Sequence, residues 1–226
     1  MSKFYRFPHT PYIKWLGSAP LRDDKVLTQA EVEDLLSKEV IVEEKIDGAN
    51  IGLSLDENKN IRIQNRGDYL IEPYIGQFTH LPIWLERNKY QIRQHLAPNM
   101  IVFGEWCAAR HSLDYTNLPD YYLLFDIFDK ETKRFWSSDR RNLWAQQAGL
   151  NPIRRVSSGI YSIEDLLVLL REAKSYYREG SPEGIVIRRD TEAWNIGRGK
   201  LVQLEFSQTI INHWSSRPMQ WNRVIY

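Results

Sequence analysis

The sequence predicts an α+β fold in which mostly antiparallel strands form sheets and helices pack against them. Short apolar runs, some alternating every two residues, recur along the 226-residue chain and predict strands. Capped segments with an apolar stripe fall between these runs and predict helices. No repeat, low-complexity tract or clear linker interrupts the pattern. We therefore expect one domain over residues 1–226, with an extended lead-in at 1–27 and a short C-terminal tail at 207–226.

Composition narrows the class of protein. The formal net charge is +1, so no global basic field points to indiscriminate nucleic-acid binding. The single cysteine, Cys107, excludes an internal disulfide and a multi-thiolate zinc site, and we expect a buried thiol in a reducing cytoplasm. The N-terminus has neither a long apolar run nor a cleavage site, so neither a signal peptide nor a membrane span is expected.

Sequence patterns in the first half of the chain predict two helices and four strands. Thr28 begins a helix because it can form a capping box with Glu31. Pro82 opens a second helix, as proline does at the first helical position. Strands are expected at 40–42, 51–55, 61–63 and 100–105, and the apolar side of the second helix at Ile83, Trp84, Ile92 and Leu96.

The second half predicts two more helices among further strands. Ser137 caps a helix that stops at Gly149, and Ser162 caps a longer one that ends before Gly180 and carries Tyr176 and Tyr177. Strands are expected at 121–128, 183–188 and 201–206.

Lys45 stands at the tight link between two predicted strands, where core packing should fix both sides. Gly48 supplies the backbone freedom that a sharp reversal needs. A nucleophilic or Schiff-base lysine is one interpretation, and an ordinary strand-end lysine in a hairpin is the other. Local sequence alone favours the ordinary lysine.

Four more residues occupy the same type of place, within or at the end of an apolar strand: Glu105, Phe125, Glu183 and Lys200. Groups at the rim of a packed sheet converge on a cleft more readily than groups on helix faces. Together with Lys45 they predict one functional cleft.

Lys45-Ile46-Asp47-Gly48 resembles the first motif of the covalent nucleotidyltransferases, which include ATP-dependent DNA and RNA ligases and mRNA capping enzymes. Within this superfamily the chain is most similar to the bacteriophage-type nick-sealing RNA ligases and their small bacterial relatives, as Asn50 and the compact length indicate. The later motifs follow in family order: Asn65-Arg66-Gly67, Phe103-Gly104-Glu105, Phe125-Asp126-Ile127, Glu183-Gly184-Ile185-Val186 and Lys200.

The resemblance implies an ATP-grasp-like nucleotidyltransferase (adenylyltransferase) domain without an OB-fold. It also implies an ATP-dependent RNA ligase that uses Mg²⁺ or Mn²⁺ and passes through lysyl-AMP. AMP would then move to an RNA 5′-phosphate, and a 3′-hydroxyl would attack to seal the strand. The expected partner is RNA with 5′-phosphate and 3′-hydroxyl ends, in a nicked duplex or a broken RNA. A partner chain would be a further source of nucleic-acid contacts.

The resemblance also assigns roles to the reacting end of the cleft. Lys45 would be the nucleophile, and Lys200 and Arg66 would stabilise phosphate charge. We expect these two cations and a bound metal to lower the pKa of Lys45. Asp47 and Asn50 would serve the later strand-transfer steps.

The nucleotide-binding roles fall on four other positions. Phe125 would stack on adenine, and Glu44 would lie at the adenine edge. Glu105 would accept a hydrogen bond from a ribose hydroxyl. Glu183 would hold Mg²⁺, partly through water.

Two features depart from the family pattern. Val202 stands where the fifth motif usually has a second lysine, and Arg198 and Gln203 are candidates for its phosphate contact. The sequence after Phe206 is too short for an OB-fold or a helical C-terminal domain. Three alternatives therefore stay open: a non-catalytic nucleotide- or RNA-end-binding module, a minimal DNA ligase, and a GTP-dependent capping enzyme.

Several charged residues outside the motifs have two interpretations. His111 is either a phosphate contact or a loop histidine with a local hydrogen bond. The pairs Arg154-Arg155 and Arg188-Arg189 are either phosphate contacts or solvated strand ends. In the first turn of a predicted helix, we expect capping and surface charge from Asp139-Arg140-Arg141.

Overall fold

The fold is α+β, as predicted, with two largely antiparallel sheets and helices packed against them. The computed structural model describes residues 4–17, 25–209 and 218–225, so parts of the predicted lead-in and tail lie outside the described residues. The helices are α1 (Gln29–Leu36), α2 (Leu81–His95), α3 (Ser138–Gln147), α4 (Ile163–Glu172) and α5 (Leu204–Thr209), with a 3₁₀ turn at Gly76–Phe78. The strands are β1 (Val40–Lys45), β2 (Ala49–Leu55), β3 (Ile61–Gln64), β4 (Met100–Trp106), β5 (Tyr122–Asp129), β6 (Arg134–Phe135), β7 (Asn151–Pro152), β8 (Arg155–Gly159), β9 (Gly184–Asp190) and β10 (Asn195–Val202).

The first sheet has the order β10-β9-β1-β8 with every pair antiparallel. Its apolar face packs against α1 and α4, whose buried residues include Leu35 and Leu166. Both helices begin at the predicted caps: Thr28 forms the predicted capping box, and Ser162 forms a capping box with Asp165 as well. The capped helices thus cover one side of the sheet that carries Lys45.

The second sheet has the order β3-β2-β4-β5-β6, and β7 adds a parallel pairing to β5. Its core contains Trp84, Trp106, Tyr122 and Trp144, which are all buried. Burying these rings removes large apolar areas from water, so much of the aromatic content serves packing. Among the described residues, no helix is long and apolar enough to cross a membrane.

The link at residues 46–48 does not close a hairpin. β1 belongs to the first sheet and β2 to the second, so the chain passes from one sheet to the other directly after Lys45. Gly48 is needed here for close approach, because a Cβ at this position would lie 2.6 Å from the backbone oxygen of Trp106. The sequence interpretation of a hairpin is wrong, and Lys45 lies at the junction of the two sheets.

The predicted bounds of one strand and one helix, and the predicted burial of one residue, are also wrong. The strand expected at 201–206 runs from Asn195 to Val202, and α5 begins at Leu204. Glycines and cations that alternate along 197–200 hide the apolar pattern of this strand. Helix α4 ends at Glu172, so Tyr176 and Tyr177 lie in the connection that follows it. Ile83 is exposed rather than on the buried side of α2.

Candidate active site

A cavity of about 580 Å³ opens where the two sheets meet. Its wall contains residues from β1, β2, β4, β5, β9 and β10. Eight of the nine residues that the sequence singles out line the cavity. The ninth, Glu183, does not line the cavity but accepts a hydrogen bond from Lys45. The eight are Glu44, Lys45, Asp47, Asn50, Arg66, Glu105, Phe125 and Lys200.

Lys45 ends β1 and is paired in register with Gly184 of β9. Its Nζ donates a hydrogen bond of 2.6 Å to a carboxylate oxygen of Glu183. Burial lowers the pKa of Lys45, but the Glu183 carboxylate, assisted by Asp47 and Glu105, raises it above the ordinary value overall. The protein side chains by themselves therefore raise the pKa of Lys45, and the expected lowering is wrong for them. The reason is that the charged groups acting on the amine are carboxylates rather than cations.

Asp47 is held by the loop that follows β4. Its carboxylate accepts a hydrogen bond of 2.7 Å from the backbone N–H of Ser112 and lies 3.8 Å from Nδ1 of His111. Its own N–H donates to the hydroxyl of Tyr115 at 2.9 Å. Burial raises the pKa of Asp47, but hydrogen bonding with His111 and the charge of Lys45 bring it below the ordinary value. Asp47 is therefore a fixed anion beside Lys45.

His111 is a loop histidine with local partners. Besides its approach to Asp47, its Nε2 lies 2.8 Å from Oε1 of Gln77, and its side chain is nearly buried. It does not line the cavity. The structure thus favours the local hydrogen-bonding interpretation.

The segment 218–225 ties this loop down, which sequence reasoning missed. Nδ2 of the buried Asn222 donates to the backbone oxygens of Cys107 and Ala109, at 2.8 and 3.2 Å. Its Oδ1 accepts from the N–H of Tyr115 at 2.9 Å. Asn222 thus supports two residues of the loop and, through Tyr115, the backbone of Asp47.

Glu105 of β4 is paired in register with Asn50 of β2. One carboxylate oxygen accepts a hydrogen bond of 3.0 Å from the N–H of Gly48. Burial, reinforced by Asp47 and Glu183, raises the pKa of Glu105 to about 8 against the opposing effect of Lys45. A carboxyl group with a raised pKa binds a proton more readily, and in its protonated form it can donate as well as accept a hydrogen bond.

Asn50 lines the cavity and carries a buried acceptor. Its Oδ1 is buried and has no hydrogen-bond partner among the described residues. An unpaired buried polar atom costs about 1–3 kcal/mol, so a ligand donor at this point would recover that energy. The cavity is therefore suited to a polar ligand.

Aromatic and apolar side chains form the other end of the cavity. Phe125 and Val186 line it together with Phe7 from the N-terminal segment. The rings of Phe7 and Phe125 meet edge to face with centroids 5.1 Å apart. Glu44 points its carboxylate to the connection after α4, where it accepts from the N–H of Tyr176 at 2.9 Å. This part of the cavity offers aromatic and apolar surface to a ligand.

Two arginines with open or surface interpretations in the sequence are buried, and one of them, Arg188, lines the cavity. Arg141 pairs with Glu43 at 2.5 Å and donates to the backbone oxygen of Phe125 at 2.6 Å. Arg188 pairs with Asp126 at 2.9 Å. The interpretation of Arg141 as surface charge is wrong, and Arg188 is not a solvated strand end. These ion pairs fix the backbone of the Phe125 strand.

Lys200, Val202 and Arg198 lie on the same face of β10, because alternate residues of a strand share a face. Arg198 lines the cavity and pairs with Asp126 at the aromatic end. Val202 is buried opposite Gly184. Gln203 donates to the backbone oxygens of Leu170 and Pro182 and does not line the cavity, so it does not replace the missing lysine.

The described residues contain no preassembled group of three or more His, Cys, Asp or Glu side chains that could hold a metal ion. Mg²⁺ commonly takes one or two carboxylates and completes its shell with water and substrate phosphates. Glu183 fits that pattern as a single carboxylate partner, because its oxygen lies next to Lys45 of the cavity wall.

The sequence matches the RNA ligase family over residues 38–202. The comparison with curated proteins gives no significant match.

Solved structures of Naegleria gruberi RNA ligase share the fold. The structure with PPi has a TM-score of 0.65 and 17% identity, and the match covers 95% of this chain and 65% of that one. A mutant with ATP and Mn has a TM-score of 0.62 and 17% identity, with 80% and 54% covered. A mutant with AMP and Mn has a TM-score of 0.60 and 17% identity, with 89% and 62% covered. The chain therefore spans less than two thirds of the length of these relatives.

Proposed function

Because the chain belongs to the RNA ligase family, we propose that it joins RNA 5′-phosphate and 3′-hydroxyl ends through a covalent lysyl-AMP intermediate on Lys45. One observation carries the proposal. The amine of Lys45 faces a cavity that is also lined by two cations, Arg66 and Lys200, and by the aromatic ring of Phe125. A nucleoside triphosphate needs these three kinds of group: a nucleophile, phosphate partners and a surface for its base.

In the first step Nζ of Lys45 attacks the α-phosphate of ATP, a P–N bond forms, and pyrophosphate leaves. The amine must first lose a proton, because its pKa is raised in the described structure. Glu183, which accepts its hydrogen bond at 2.6 Å, is the nearest acceptor for that proton. A divalent ion bound at Glu183 would supply positive charge that offsets the carboxylates and stabilises the phosphates.

Other cavity residues bind and orient the nucleotide. Lys200 and Arg66 stabilise the charge that develops on the phosphates. Phe125 stacks on the base, and the carboxyl group of Glu105 contacts a ribose hydroxyl. In the two later steps AMP moves to the RNA 5′-phosphate, and the 3′-hydroxyl then displaces AMP. We assign Asp47 and Asn50 to these steps, since both lie next to Lys45 on the link and strand that follow it.

The test of this proposal is covalent labelling with α-labelled ATP and Mg²⁺, read on a denaturing gel. The wild-type chain should carry label, and Lys45→Ala should carry none. Lys89→Ala, which removes an exposed lysine from α2, is the matched control and should label normally. Absence of label on the wild type, or equal label on Lys45→Ala, would contradict the proposal. Labelled GTP in parallel separates a ligase from a capping-type enzyme.

One observation supports a second candidate, a nucleotide- or RNA-end-binding module without turnover. The family pattern has a second lysine where this chain has Val202. β10 therefore carries one cation fewer than that pattern. Nucleotide binding without pyrophosphate release would support this candidate.

The choice between RNA and DNA is tested on nicked duplexes that differ at the 3′-hydroxyl strand. We expect faster sealing when that strand is RNA, since its 2′-hydroxyl is the group by which proteins distinguish the two. Equal sealing of both nicks would favour a minimal DNA ligase.

A further inference from the structure

The N-terminal segment attaches to β10 at Lys200. The N–H of Lys200 donates to the backbone oxygen of Pro11 at 2.8 Å, and the N–H of Ile13 donates to the oxygen of Lys200 at 2.9 Å. Tyr12 is thereby bridged in parallel to Lys200, while the other edge of β10 pairs with β9. The backbone of Lys200 is therefore held from both sides.

Close approach of this segment depends on Gly199. A Cβ at position 199 would lie 2.5 Å from Cγ1 of Ile13, a separation that real side chains do not reach. Tyr12 is also fixed from its far side, because its N–H donates to Lys25 and its oxygen accepts from Leu27, both at 2.8 Å. The segment is thus positioned by two neighbouring stretches of chain rather than by one.

The ring of Tyr12 lies against the ammonium group of Lys200. Nζ of Lys200 is 4.1 Å from the ring centroid, well within cation–π distance. Tyr12 is 6% exposed, and Trp15 meets it edge to face with centroids 4.9 Å apart. Tyr12 does not itself line the cavity, whereas Lys200 does. The ring thus contacts the cavity wall directly at Lys200.

We propose that Tyr12 is a positioning residue that holds the ammonium of Lys200 at the wall of the cavity. Lysine carries a flexible four-carbon stem, and a ring face restricts where its charge can lie. The restriction matters here because the face of β10 that carries Lys200 has Val202, rather than a second lysine, at its far end. That Lys200 meets a phosphate rests on the proposed function, but the contact between ring and amine does not.

The first test compares single-turnover adenylylation rates of Tyr12→Phe and Tyr12→Leu with the wild type. Tyr12→Phe keeps the ring and should react within about twofold of the wild type. Tyr12→Leu removes the ring face and should react about fivefold to thirtyfold more slowly, the range expected for a cation–π contact of moderate strength. Trp15→Leu, a neighbouring aromatic outside the cavity, should lower the melting temperature without a comparable loss of rate.

A double-mutant cycle separates positioning from general destabilisation. In a Lys200→Met background, Tyr12→Leu should cause little further loss, because the charge that the ring holds is already gone. The same fold loss in both backgrounds would overturn the proposal. A Tyr12→Phe rate as low as that of Tyr12→Leu would overturn it as well.

The second test does not depend on ligase activity. In a ¹H–¹³C spectrum of the free protein, the ring face of Tyr12 should shift the ε-methylene of Lys200 upfield of the other lysines, with the signal assigned through Lys200→Arg. Tyr12→Phe should keep the shift and Tyr12→Leu should abolish it. No upfield shift in the wild type would overturn the proposed contact. A wild-type chain that fails to label contradicts the proposed function, and this spectrum then decides on Tyr12 alone.

Discussion

Nζ of Lys45 lies 2.6 Å from a carboxylate oxygen of Glu183, and strand register brings the two side chains together. Lys45 is paired with Gly184 where β1 ends and β9 begins. Glu183 directly precedes Gly184, so its side chain starts next to Lys45. Gly184 itself is constrained, because a Cβ there would lie 2.2 Å from the backbone oxygen of Leu201. The amine and its nearest base are therefore positioned by sheet pairing rather than by loop conformation.

Replacing Glu183 by Gln should slow covalent labelling by about 10²-fold or more, the usual effect of losing a general base. The substitution keeps the shape and a hydrogen-bond acceptor but removes the charge that accepts the proton of Lys45. The measurement is the single-turnover rate of labelling with α-labelled ATP at several Mg²⁺ concentrations. Glu179→Gln, an exposed neighbour, should label like the wild type. Normal labelling by Glu183→Gln would remove Glu183 from the mechanism.

Replacing Val202 by Lys should raise the labelling rate about tenfold or more, because it adds a cation on the face of β10 that carries Lys200. The melting temperature should fall, since Val202 is buried and a lysine there loses hydration. Val202→Met has a similar length without charge and is the control for packing. If Lys and Met at this position give the same rate, charge at position 202 does not limit adenylylation.

Asp126 should make stability depend on pH below about 4. Burial raises its pKa, but the guanidinium groups of Arg188 and Arg198 bring it below the ordinary value. An aspartate with a depressed folded pKa stabilises the fold above its unfolded pKa of about 3.9, and this contribution disappears as pH falls through the folded pKa.

The check is urea unfolding of Asp126→Asn and the wild type from pH 7 to pH 3. At pH 7 the variant should be about 3–5 kcal/mol less stable, because two buried arginines lose their counterion. The difference should shrink as pH falls below 4. If Asp126→Asn does not fold, the wild-type curve alone should still fall in this range, and a flat curve would contradict the prediction.

The sequence predicts the parts of the fold and site that depend on local order. The capping box at Thr28 and the cap at Ser162 are confirmed, because a cap is set by residues three positions apart. The pattern also predicts that Lys45, Glu105 and Lys200 line one cleft, because polar residues in or at the end of apolar strands face the space between sheets.

The sequence does not reveal which distant residues pair with each other. The burial of Arg141 depends on Glu43, 98 positions away, and nothing in either neighbourhood indicates the other. The contact of Tyr12 with Lys200 is hidden in the same way, because Tyr12 lies in a proline-punctuated stretch without strand pattern. Tertiary partners decide whether such charges and rings are surface or interior.

Asn222→Ala should weaken both the fold and the steps that follow adenylylation. The buried side chain of Asn222 donates to the backbone oxygens of Cys107 and Ala109 and accepts from Tyr115, so its loss should cost about 2–4 kcal/mol in urea unfolding. The same loop holds Asp47, so sealing of pre-adenylylated RNA should slow more than labelling by ATP. Asn117→Ala removes an exposed asparagine of the same loop and should change neither rate appreciably. Equal slowing of labelling and sealing by Asn222→Ala would show that the segment supports the whole domain rather than Asp47 in particular.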